Sequence, residues 1–147
     1  MAGRAATHKN FEHLAGVYPE LHKLFVAFSA HSITELNDPR RHRITGLAAA
    51  EVSDSEFRVT FAGRKFRFLF TVDLESPNSF IGRVICVLDE WTEDEVIVSS
   101  FTFDTAGATS ERETEQGQVL QMIIASDARL LCMMLIHKGL SIPSYDE

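Results

Sequence analysis

Glu56-Phe57-Arg58-Val59-Thr60-Phe61-Ala62-Gly63-Arg64-Lys65-Phe66-Arg67-Phe68-Leu69-Phe70-Thr71-Val72-Asp73 decides the fold. Apolar and polar residues alternate in both halves, and a glycine lies between them. A tight turn at Gly63-Arg64 would pair Phe61 with Phe66, Val59 with Phe68 and Phe57 with Phe70. All six then share one face, while Glu56, Arg58, Thr60, Arg67 and Thr71 share the other. A helix cannot produce that two-residue period, so the segment reads as an antiparallel hairpin.

The pattern continues on both sides. Ile44 to Val52 reads as a preceding strand, with Ala48 and Ala50 opposite Phe61 and Val59, although its alanines also permit a helix. Ser76-Pro77-Asn78-Ser79 is a turn cluster. Phe80 to Asp89 and Glu95 to Asp104 form a second hairpin, pairing Leu88 with Ile97, Cys86 with Ser99, Val84 with Phe101 and Gly82 with Phe103. A phenylalanine ring can lie over the bare backbone of Gly82. Ile81, Ile85, Val87, Val96 and Val98 would occupy the other face. That face is too apolar for open solvent, so it is expected to be covered or to meet a partner.

Helices flank these strands. His8 to Gly16 predicts a short helix that Gly16 and Pro19 break. From Pro19 onward, Leu21, Leu24, Phe25, Phe28 and Leu36 make one apolar stripe, and Asn37-Asp38-Pro39 ends it. Thr105 to Gly117 reads as a loop entering a helix, with Ser110 and Glu113 as a capping box. A very apolar helix follows from Gln118 to Lys138, and Gly139-Leu140 predicts a Schellman stop. Residues 1–147 therefore read as a single α+β domain: an antiparallel meander of four to five strands, N-terminal helices and a long C-terminal helix.

Composition supports a globular chain and excludes disorder. Of 147 residues, 45% are hydrophobic and 24% charged, and eleven phenylalanines outnumber two tyrosines and one tryptophan. Phe has no polar handle, which suits a dry core. The formal charge of −7 is uneven, since Asp89 to Glu115 holds nine acids against Arg112 alone. Nucleic acid and membrane are therefore not expected partners. Arg40, Arg41, Arg43, Arg58, Lys65 and Arg67 form a basic group, but the hairpin's phenylalanines point to the opposite face, where they could not stack on bases bound to these charges. The start carries no signal-peptide pattern and the longest apolar run, Leu130 to Ile136, is too short for a span. A cytoplasmic location is expected, with Cys86 and Cys132 as buried free thiols.

The common site chemistries lack their spacing. His8, His13, His22, His31, His42 and His137 include no i,i+3 or i,i+4 pair, so no metal site is expected. No nucleophile elbow or phosphate loop is present, and the cysteines lie among apolar residues, where thiols are inert. No cofactor is expected, and the chain reads as a non-enzyme.

Two features remain after the fold is accounted for. Trp91 sits at the apex of a loop carrying Asp89, Glu90, Glu93, Asp94 and Glu95, an aromatic anchor with charges that steer toward a basic partner. The last helix is apolar almost all round, so Leu131, Met134 and Leu135 are candidate homodimer contacts. The alternative there is a core beneath the sheet. The functional expectation is a protein-interaction module: an inhibitor, immunity-type, adaptor or chaperone-like protein. The alternative is a small-molecule-binding or enzyme domain with an apolar pocket between the helices and a sheet face lined by Phe57, Phe61, Phe66, Phe68, Phe70, Phe101 and Phe103.

Overall fold

The structure, a computed structural model, describes residues 2–76, 79–89 and 95–143, with side chains from residue 7 onward. Its elements run α1 (Ala2–Asn37), α2 (Pro39–His42), β1 (Ala48–Ser53), β2 (Glu56–Phe61), β3 (Arg64–Ser76), β4 (Ser79–Leu88), β5 (Val96–Phe103), β6 (Ala108–Arg112), β7 (Val119–Gln121) and α3 (Ala125–Leu140). The seven strands lie in sequence order in one antiparallel sheet, two more strands than the upper expectation. Helices α1 and α3 both pack on the phenylalanine face, giving an α+β fold of two layers.

The alternation of β2 and β3 sets that face. Phe57, Val59, Phe66 and Phe68 are fully buried, and Phe57 stacks on Phe68 at 4.8 Å between ring centres. The pairing differs from expectation: Val59 faces Phe66 and Phe57 faces Phe68. The turn is Ala62-Gly63, one residue earlier than expected, with φ of 53° and 75°. A two-residue hairpin turn of type I′ needs positive φ at both central positions. That slides one strand by two residues and leaves every side chain on its expected face.

β1 is a strand, but Ala49, not Ala50, faces Val59, and Ala49 is the residue turned to the core. The Asn37 carboxamide settles this register. Its Nδ2 donates to the Ala49 carbonyl at 2.8 Å and its Oδ1 accepts the Ala49 N–H at 2.7 Å.

In the second hairpin Gly82–Phe103, Val84–Phe101 and Cys86–Ser99 pair as expected, then a bulge intervenes. Beyond it Leu88 faces Val96 and Val87 faces Ile97. The extra residue turns Val96 and Val98 toward the core and leaves Ile97 68% exposed. The other face is thus less apolar than expected. Arg67 bridges Glu56 and Glu95 across it, and Arg83 binds Asp73 and Ser100.

Helix α1 is continuous, without the expected break at Gly16 and Pro19. Ring contacts of His13 with Phe80, and of Tyr18 and His22 with Phe70, hold it to the sheet on both sides of Pro19. The stop holds: α1 ends at Asn37, and Asp38 caps α2 with Pro39 in its first turn.

The largest departure is residues 105–124, which form β6 and β7 before α3 begins at Ala125. Buried Thr109 donates to the Leu120 carbonyl at 2.8 Å, tying the two strands. Ser110 accepts the Thr102 N–H from β5, so it caps no helix. At the other end α3 runs through Gly139 to Leu140, with no left-handed stop. Gly139 is there for space: a Cβ would stand 2.5 Å from the Phe66 ring.

Candidate functional site

Most of the acidic loop, Glu90, Trp91, Glu93 and Asp94, lies outside the described residues. Its two ends are described, and both are engaged within the chain. Asp89 is half-buried, pairs with Arg58 at 3.6 Å, and donates its N–H to the Lys65 carbonyl. Glu95 is ion-paired with Arg67, whose guanidinium is held above its ordinary pKa, first of all by hydrogen bonds to Glu56.

The candidate dimer contacts on α3 divide. Leu131 and Leu135 are 1% and 2% exposed, packed in this chain's own core, as the core alternative had it. Met134 is half-buried against the same core. Half-buried Met133 and exposed Leu140 of α3, with the buried Ile136 between them, line a groove of about 180 Å³ with Ile44, Leu47 and Phe61.

The expected pocket over the phenylalanine face is occupied by the rings themselves. Phe25 stacks on Phe70, and Phe28 meets Phe101 edge-on at 5.7 Å. Phe61 and Phe70 are the only two of the seven proposed lining rings left half-buried.

Both thiols are buried. Burial pushes both the Cys86 and Cys132 thiols up to about 12, and Cys132 Sγ donates to Ser32 Oγ at 3.3 Å. Ser55, His22 and Asp54 adjoin one another but do not form a relay. His22 Nε2 donates to the Asp54 carbonyl at 2.9 Å, and this same nitrogen faces Ser55 Oγ at 3.5 Å and Asp54 Oδ2 at 3.8 Å. A relay needs the serine and the carboxylate on opposite ring nitrogens. Among the described residues, no three His, Cys, Asp or Glu side chains gather as metal ligands would. No described helix is long and apolar enough to cross a membrane.

One apolar surface was not anticipated. From Thr7 to Glu20, α1 holds no fully buried residue, and its first described turns lie against the far end of the β3–β4 hairpin. Between them is a groove of about 310 Å³ lined by Phe11, Leu14, Val72, Leu74 and Phe80, with Thr7, Asn10 and Asp73 as its polar groups. Phe11 is 67% exposed and Leu74 62% exposed at its lips. Asp73 is tied to Arg83. The signal in the sequence was the apolar series Phe11, Leu14, Val17 and Tyr18 ahead of Pro19, more than a short free helix needs.

No protein-family model, curated protein or solved structure matches the chain.

Proposed function

We propose that this protein is a non-enzymatic interaction module of the inhibitor, immunity-type, adaptor or chaperone-like kind. The observation that supports it best is the pair of exposed side chains, Phe11 and Leu74, at the lips of an apolar groove. Exposed apolar residues are common singly; a groove with apolar walls and apolar lips is the geometry that takes an apolar helix or strand of another protein. The acidic loop around Trp91 is the second contact, directed at a basic surface.

Affinity capture with two variants tests this reading. F11S/L74S is expected to lose the partner captured by the wild type, with an unchanged melting temperature. W91A/E93A/D94A is expected to weaken the same capture. If both variants hold that partner as the wild type does, the reading is wrong. Loss in the second alone would move the contact to the loop.

Homodimerisation belongs to the same proposal, through Met133 and Leu140 at the groove on α3, and a molar-mass measurement decides it. A reducing, cytoplasmic setting is proposed from the two free, buried cysteines. The size of the groove supports a second reading, a small apolar ligand, because ligand sites begin at about 300 Å³. Native mass spectrometry of the purified protein would reveal such a ligand as added mass that F11S/L74S lacks.

A further inference from the structure

Strand β1 ends the sheet order, so one of its edges faces no strand. In an antiparallel ladder two opposed residues exchange both N–H···O bonds, and the outward-pointing residues alternate. Ala49 is such a residue, and the Asn37 carboxamide supplies both bonds in place of a neighbouring peptide group. By the same alternation Leu47 and Glu51 present the adjoining rungs. Ala48, Ala50 and Val52 are exposed and uncharged, with Glu51 the single charge. An edge of that composition pairs readily with another strand. Helix α1 runs beside this strand and is tied at its other end too, where His22 donates to the Asp54 carbonyl.

We propose that Asn37 is an edge guard: by filling the middle rung of β1, it blocks strand addition by β1 of a second copy. The guard is an autoinhibitory contact made by the last residue of α1. Its removal leaves the Ala49 rung open between those of Leu47 and Glu51.

The test uses the full chain as wild type, N37A, N37D and N37A/A49P, each followed by sedimentation velocity over a tenfold concentration range. N37A and N37D, checked for fold by circular dichroism, are expected to gain mass with concentration, up to about twofold over the wild type. N37A/A49P is expected to return to the wild-type mass, because proline offers no N–H at that rung and is tolerated on an edge strand. Folded N37A and N37D at the wild-type mass would overturn the proposal, as would a double variant that associates as N37A does. Hydrogen exchange on the wild type decides the matter even where a variant fails to fold. The Ala49 amide is expected to exchange at least about tenfold more slowly than that of Glu51, its neighbour on the same edge. Equal rates would remove the guard.

Discussion

The ring of Phe103 covers the backbone of Gly82 so closely that a Cβ at position 82 would stand 2.3 Å from Phe103 Cζ. The two residues face each other across β4 and β5, and Phe103 is fully buried against the ring of Phe70. A methyl group at 82 must therefore displace a ring that has nowhere to go. Gly82→Ala is expected to cost about 1–3 kcal/mol, the range for overpacking a dense core. Adding Phe103→Leu is expected to recover part of that loss. Denaturant unfolding of the two single variants and the double variant measures the coupling, and additive losses would contradict it.

The cysteines predict an alkaline effect with a definite sign. In the unfolded chain a thiol ionises at about 8.5, whereas Cys86 and Cys132 are held near 12 by burial. Above about pH 9 the unfolded state therefore binds fewer protons than the folded one, and stability falls as pH rises toward 12. The slope is at most about 1.4 kcal/mol per pH unit per cysteine. Urea unfolding at pH 8 and pH 10 should show a larger loss for the wild type than for C86A/C132A. A thiol reagent at neutral pH should label neither residue until the protein unfolds, and rapid labelling of the folded protein would refute the burial argument.

Glu35 joins the three helices. Its carboxylate is 4% exposed and accepts from Arg129 of α3 at 3.4 Å, with Arg41 of α2 at 3.5 Å. Arg129 also donates to the Arg41 carbonyl. Removing one partner of a buried ion pair leaves a charge without its counterpart, which is more costly than losing the pair. Arg129→Ala is expected to destabilise by about 2 kcal/mol, Arg41→Ala by less because that side chain is more exposed. Thermal melts of both variants rank them, and the reverse order would contradict the assignment.

Pro19 lies inside α1 with no N–H to give to the Ala15 carbonyl. It is solvent-exposed, so its replacement disturbs no core contact. Pro19→Ala is expected to raise stability by about 1–3 kcal/mol. A lower melting temperature would mean that the proline shapes the helix to fit the sheet.

The parts of the fold that sequence made legible are those carried by side-chain period. The faces of β2 and β3 could be read although their register could not, because a shift of two residues preserves the face. The shift arose from backbone angles at Ala62 and Gly63, which side-chain pattern does not encode. The bulge after Cys86 adds one residue without any marking residue type, and it reversed Val96, Ile97 and Val98. β6 was hidden for a different reason. Thr109-Ser110-Glu111-Arg112 is polar throughout, and its strand character comes from Thr109 bonding to Leu120, a contact made only in the folded chain. The groove was illegible because Phe11, Leu74 and Phe80 meet across some sixty residues, and no periodicity connects them.

The strands of the sheet neighbour each other in the same order along the chain. During synthesis each new strand can therefore add to the one just made, with α1 already available to cover the growing face. The exception is α3, which leaves the ribosome only after β7. Until α3 brings Gly139 against it, the ring of Phe66 lacks that cover, and a nascent chain is most open to aggregation or chaperone capture while its core is incompletely covered.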